Sequence, residues 1–550
     1  MSASDKKKLR KEQAAAQLSE RQLHEQAEAK KLKRTTYTFV AIMLVVALTA
    51  VGVLGVRAVN HSGIIDKNTI AATTGEHKLN SVHMNYYLND YIRNWASSYG
   101  ENLSVYAGMM GLNINSPISE QVTNSETGET WADRFLNDAL AKAKSDYALY
   151  DKAMAEGFKL TEDQQEALDM SGEQLKLYAM YYGYSNANAY LRAAYGYGST
   201  VDSFMEYNKV ATIAQAYYNQ YKDSLKYDDA AIREHDNKEP NAYTSFNYAS
   251  YYLSCSSFLT GGTTDDKGNK TYSDAEQAAA AAKAEEIAKA LAASADVEAL
   301  DKAIAALEIN KDKKDAASTK NTAVMYSGIP TVLQSWLADK ARAEGDITYI
   351  ANESTSKDAD GKEIKTINGY YVVIFQTRDE NLQPLANVRH LLVNFEGGTT
   401  DSNGNKTYSD AEKAKAKEEA EKLLQQWKDG EATEESFIAL VKEHTDDTAS
   451  KETGGLYEDI HRDSNYMPNF KNWAVDADRK PGDTGVVVSD YGYHVMYYVG
   501  DDDMTYRDYM ISEELRAADL EKWHTGITDA ATITTGNTKR LNLDAILANM

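Results

Sequence analysis

The residues of this chain best suited to chemistry are two histidines and an aspartate. His390 lies inside Ala386-Asn387-Val388-Arg389-His390-Leu391-Leu392-Val393, an apolar run that reads as a buried strand. His494 lies inside a second such run, Tyr491-Gly492-Tyr493-His494-Val495-Met496-Tyr497-Tyr498. Asp447 sits between them in the polar turn Thr445-Asp446-Asp447-Thr448. Imidazoles near a carboxylate can fix one another's tautomers, exchange protons or hold a metal. A lone histidine in an apolar strand is more often a satisfied core residue, so the types alone leave structural and chemical roles open. A His390/Asp447/His494 metal site is chemically allowed, but the expectation is no metal and no cofactor. The chain offers no Gly-rich phosphate loop followed by Lys and no convincing Ser/His/Asp hydrolase arrangement. Cys255 is its single cysteine, which excludes an intrachain disulfide and a thiolate metal cluster and reads as a small buried apolar residue.

The elements that must carry these residues follow in order. After the first histidine strand comes a charged helix pattern, Ser409 to Lys428, then Phe437-Ile438-Ala439-Leu440-Val441. The polar turn, Gly454-Gly455-Leu456 and the second histidine strand complete the stretch. Asp446 reads as a turn residue and Asp410 as a helix-start residue; His444 and His461 are expected to be exposed.

This ordered set resembles the parvulin-type (PpiC) peptidyl-prolyl cis-trans isomerases. That family opens on an Arg/Ser-His-Ile/Leu-Leu-Val strand, carries a Ser/Thr-Asp…Gly-Gly-Leu segment, and closes on a Tyr/Phe-Gly-Tyr-His strand. The resemblance implies that His390 and His494 are the paired histidines at the centre of the sheet. It implies that Asp447 stands beside the reacting amide, and that Leu456, Met467 and Phe470 form the proline pocket. The chain departs from the family pattern in the close Met467-Pro468-Asn469-Phe470 spacing, in the longer Tyr457–Tyr466 loop and in the Trp473–Gly482 segment.

The remaining 550-residue chain divides by composition. Residues 1–34 hold ten Lys/Arg against five Asp/Glu and read as a cytoplasmic basic tail. Thr35 to Val56 carries no charged residue. At roughly 1.5 Å per residue it is long enough for a bilayer core, so residues 35–57 are expected to form a transmembrane helix with the bulk of the chain outside the cell membrane. Residues 62–225 show large residues at helical spacing, with Thr161 and Gln164 as a capping pair, and many tyrosines. Their pattern and order resemble the helical chaperone region of extracytoplasmic foldases of the PrsA/SurA type. Tyr joins apolar area to a polar tip, which suits either adaptable contact with unfolded chains or ordinary half-wet packing. Residues 226–242 read as a linker.

Segment 261–276 recurs at 397–412 with only Asp266 and Lys267 replaced, by Ser402 and Asn403. Residues 243–380 are therefore expected to be a first, degenerate parvulin-like copy, with Tyr371 where the second copy has His494, and 386–502 the isomerase domain. The segment 503–550, with a helix from Tyr506 to Trp523, is expected to return to the chaperone region.

The chain's net charge is −24, and residues 1–34 run against that sign, so the body is strongly acidic. Nucleic acid is therefore not expected as a partner, since phosphate binding relies on Lys and Arg. The expected fold class is α+β: a transmembrane helix, a mainly helical domain, and two parvulin-like domains of small antiparallel sheets flanked by helices. The expected function is an extracytoplasmic peptidyl-prolyl isomerase and chaperone whose partners are newly secreted or unfolded chains with X-Pro bonds. A dimer is compatible with this. The alternative is a non-enzymatic membrane-anchored holdase that uses parvulin-like domains only to bind peptides.

Overall fold

The computed structural model describes residues 2–13, 38, 42–46, 49 and 54–548, apart from 265–267, 269, 358–360, 362 and 402–404. The chain forms two compact units: one from residues 1–225 with 518–550, the other from 226–517.

The first unit is mainly helical. A short hairpin of β1 (Ile70–Thr74) and β2 (His77–Asn80) leads into α1 (Ser81–Ser97), α2 (Trp131–Ala155), α3 (Glu162–Tyr181), α4 (Ala187–Tyr195) and α5 (Val201–Ser224). Side-chain caps set the helix starts. Thr130 and Asp133 form a capping box on α2, and Thr161 and Gln164 form the expected one on α3. Leu88, Ile92, Phe135, Ala139 and Tyr86 share one buried core. The end of the chain belongs to this unit. Trp523 stacks on Tyr221 at 4.0 Å, and a last strand pairs with β1, Ala72 opposite Thr535.

The second unit carries two four-stranded antiparallel sheets. The first contains β3 (Ser245–Ser254), β4 (Thr319–Met325), β5 (Ile347–Lys357) and β6 (Glu363–Asp379), in the order β4-β3-β6-β5. The second contains β7 (Pro384–Asn394), β8 (Leu456–Ile460), β9 (Thr484–Val488) and β10 (Gly492–Thr505), in the order β8-β7-β10-β9. One face of the second sheet is covered by α6 (Asp410–Asp429) and α7 (Glu434–His444), whose Leu423, Trp427, Phe437 and Val441 pack on Leu391 and Val495. The short α8 (Pro468–Ala474) covers the other, where Phe470 and Ala474 meet Val388 and Met496. Leu391 and Val388 lie an odd number of residues apart on β7 and so leave it on opposite faces. Ser409 and Glu412 box the start of α6, as Ser273 and Glu276 do at the duplicated segment.

Mixed helix and sheet fit the expected α+β class, but two parts of that expectation are corrected. Among the described residues no helix is long and apolar enough to cross a membrane, and most of the expected span 35–57 lies outside the described residues. The second correction concerns residues 243–380, which were expected to be a further parvulin-like domain. In the first sheet Tyr371 pairs with Tyr252, their rings 4.7 Å apart, and Val373 pairs with Ser250. Its two central strands thus bring together tyrosines and a serine where the second sheet brings imidazoles. The 226–242 segment is not plain linker either: Asp229–Asp236 is a helix capped by Asp228.

Candidate active site

The site lies where β7 and β10 run side by side. His390 pairs with Met496 and Leu392 with His494, so in this antiparallel register both histidines leave the same face, with the Leu391–Val495 pair between them. Their Nδ1 atoms are 3.0 Å apart, and both residues are buried. His390 Nε2 donates to Asp447 Oδ2 at 3.0 Å, and His494 Nε2 meets Ser489 Oγ at 2.8 Å.

With both rings neutral, one proton arrangement satisfies every contact. The Ser489 hydroxyl donates to His494 Nε2, His494 Nδ1–H donates to His390 Nδ1, and His390 Nε2–H donates to the carboxylate. Such a one-directional chain is self-reinforcing, because each bond polarises the next.

The turn after α7 delivers Asp447. Thr445 Oγ1 accepts from Leu392 N at 3.1 Å and from Asp447 N at 3.2 Å. Asp446 accepts from Asn394 N at 2.8 Å, which pins the turn to the strand end, the structural role expected of it. Asp447 also accepts from Ser450 Oγ, from Ala449 N at 3.1 Å and from Tyr457 OH at 3.2 Å. The His390 hydrogen bond holds its carboxyl well below the usual carboxylate range, against the opposing pull of burial. Burial, with the His390 ring beside it, brings the His494 imidazole down to about 4, so it is neutral at physiological pH. Burial and the Asp447 charge push the Tyr457 phenol up to about 12.

The Gly454-Gly455 pair closes the arrangement. Gly455 N–H donates to the Ser450 carbonyl at 2.8 Å and its own carbonyl accepts from His390 N–H at 2.9 Å, and a Cβ on Gly455 would lie 2.1 Å from the His390 carbonyl oxygen. The position also has φ +73°, so both space and conformation demand glycine.

Aromatic rings form the apolar side of the site. Phe470 stands edge-on to both imidazoles, at 5.3 Å from His390 and 5.4 Å from His494. Tyr457 is 4.9 Å from His390, and Tyr466 is 5.6 Å from Phe470. Met467 packs in the same cluster and, with Ser489, lines an adjoining cavity of 550 Å³.

Of the residues expected from the sequence, His390, Asp447, His494, Met467 and Phe470 come together. Leu456 does not. It pairs with Arg389, whereas Tyr457 pairs with Val388, so Leu456 leaves the face opposite His390 and Tyr457 takes the place beside the imidazoles. Tyr457, Ser450 and Ser489 were missed. Ser450, three residues after Asp447, was the one with a local signal. His461, expected to be exposed, is half-buried and stacks on Tyr506 at 4.4 Å. Among the described residues no group of His, Cys, Asp or Glu is arranged to hold a metal ion.

A buried histidine pair on central strands, an aspartate and an aromatic wall define a domain of the parvulin class. Residues 390–500 match the Rotamase family, described as the PPIC-type PPIASE domain. Over 195 residues the chain is 28% identical to Foldase protein PrsA of Clostridium botulinum (strain Langeland / NCTC 10281 / Type F), which is 35% of this chain and 47% of that relative. It is 26% identical over 194 residues to the PrsA of the Okra / Type B1 strain, again 35% and 47%. The chain thus spans about half the length of the curated relatives it matches. Among solved structures, PrsA from Bacillus subtilis aligns with 76% of this chain and 92% of its own, at 13% identity and a TM-score of 0.27. The chain carries a parvulin-type isomerase domain and is similar to PrsA foldases.

Proposed function

We propose that this protein is a peptidyl-prolyl cis-trans isomerase that assists the folding of other polypeptides, with the 390–500 domain as its catalytic part. The observation that carries the reading is the buried His390–His494 pair set edge-on to Phe470 and tied to Asp447. Rotation about an X-Pro bond makes and breaks no covalent bond; its barrier is the amide resonance of the planar state. Catalysis therefore requires only that the twisted amide bind better than the planar one. Phe470 and Met467 offer the apolar wall a pyrrolidine ring needs. The hydrogen-bonded imidazoles offer a fixed, largely dry polar floor whose dipoles need no reorganisation as the amide twists.

The clients are unfolded chains with X-Pro bonds, and the place of action is outside the cytoplasm; both rest on the resemblance to foldases. Refolding of a protein limited by a cis-proline, followed with and without the full chain, tests the reading. Acceleration that disappears in His390→Ala/His494→Ala supports it, and acceleration that survives the double substitution overturns the site. Suppressed aggregation with no acceleration would instead favour the non-enzymatic holdase, a reading supported by the exposed Tyr181 and Tyr182 of the helical unit.

A further inference from the structure

The geometry points to a binding cleft in the helical unit that takes acidic, aromatic-containing segments of a polypeptide. Two neighbouring cavities make it, of 630 and 480 Å³, sharing Ala193 and Asn542 in their walls. The larger is lined by Arg192 of α4, Lys539 and Arg540; the smaller by Arg93 of α1 with Tyr182, Tyr184 and Tyr190. Arg540 is already held by Asp66, at 3.0 and 3.1 Å. Arg93, Arg192 and Lys539 are different. Among the described residues none of the three has a carboxylate within ion-pair distance, and Arg93 Nε is buried without a hydrogen-bond partner.

The chain's net charge is −24, so walls richer in cations than in carboxylates run against the sign of the whole; Asp66, already engaged by Arg540, is the carboxylate among the residues lining the two cavities. Three cations gathered around joined cavities make a local positive site on a body that otherwise repels anions. The walls decide which anion fits. Tyr182 and Tyr190 stack nearly parallel, 5.8 Å apart and 6° from coplanar, and Tyr184 meets Tyr190 at 5.7 Å. Tyr182 is 60% exposed, and the end of α3 beside it presents Met180 and Tyr181 at 76% and 82%. A free phosphate has nothing to place on these rings. A peptide with a carboxylate flanked by aromatic side chains satisfies both halves of the cleft, the charge on the arginines and the rings on the tyrosines.

This inference rests on the folding-helper reading, but its test separates the two. A short, proline-free fluorescent peptide alternating Glu and Phe is titrated into the full chain, with its Lys-for-Glu counterpart and inorganic polyphosphate as comparisons. The acidic peptide binds, and more weakly as salt rises. The charge-neutral variant Arg93→Gln/Arg192→Gln/Lys539→Gln weakens that binding about tenfold, the combined worth of three exposed ion pairs. It leaves prolyl-limited refolding rates unchanged, which also certifies that it folds. Tyr182→Ala weakens the acidic peptide without affecting polyphosphate. Equal binding of the acidic peptide by parent and triple variant, equal binding of the Glu and Lys peptides, or charge-dependent binding of polyphosphate alone would each overturn the inference. Loss of peptide binding with refolding catalysis intact removes the cleft and leaves the isomerase. Loss of catalysis with the cleft intact does the reverse.

Discussion

The Nδ1 atoms of His390 and His494 lie 3.0 Å apart although 104 residues separate them in the chain. Between them in the chain run the helices α6, α7 and α8, the carboxylate turn and the strands β8 and β9. The pair is a product of strand register: one residue of slip on β10 would turn His494 to the face covered by α6 and α7.

Acid should unfold this protein in a particular window. The folded-state value of His494, about 4, lies below the 6.5 of a free imidazole, so the unfolded chain takes up that proton first. Its contribution is whole above about pH 6.5 and is lost as pH falls toward 4, amounting to on the order of 3 kcal/mol for this one group. Asp447, also depressed on folding, contributes above its ordinary value of 3.8 and loses that contribution below it. Urea midpoints between pH 7.5 and 4.5 should fall for the parent chain and fall less for His494→Gln.

Asp447→Asn should damage both stability and rate. The carboxylate accepts from His390, Ser450, Ala449 and Tyr457, whereas an amide presents two hydrogens to some of those donors. Loss of hydrogen bonds to a buried charge costs about 2 kcal/mol. Denaturant titration reads that loss, and prolyl-peptide turnover should drop with it as His390 loses its orienting partner.

Tyr457 and Leu456 should separate cleanly. Tyr457→Phe keeps the ring against His390 and Phe470 but removes one hydrogen bond to Asp447, a loss of about 1 kcal/mol and a several-fold slower isomerase. Leu456→Ala, on the other face, should leave turnover within about twofold once stability is matched. Equal losses from both would refute the pairing of Tyr457 with Val388 and Leu456 with Arg389.

Gly455→Ala should be among the most disruptive small substitutions in the domain. Its methyl would stand 2.1 Å from the His390 carbonyl oxygen at a φ of +73°. The backbone strain alone is worth about 1–3 kcal/mol, and relief requires β7 and β8 to part. A lowered thermal midpoint with reduced activity is expected; the same substitution at Gly482, where φ is also positive at +90° but a Cβ would meet nothing within 4 Å, should share the backbone strain and do far less to activity.

The amino-acid sequence determined a good deal unaided. The start of α3 was legible because caps are local: Thr161 and Gln164 lie within one turn of each other, whereas at α6 Asp410 was read as the start and the cap is Ser409 boxed with Glu412. The histidine strands were legible as apolar runs, and motif order singled out His390, Asp447 and His494. The tertiary structure alone decided which side chains share a face. The β8 residue opposite Val388 depends on an irregularity in pairing near Ala386, which shifts the register and hands the place beside His390 to Tyr457 rather than Leu456. The short contacts of Ser489 and Phe470 with the imidazoles likewise depend on how distant elements pack, and no sequence spacing encodes that. Period and capping act over one turn or one strand, whereas a site assembled across a sheet is set by register, where a one-residue irregularity exchanges the two faces.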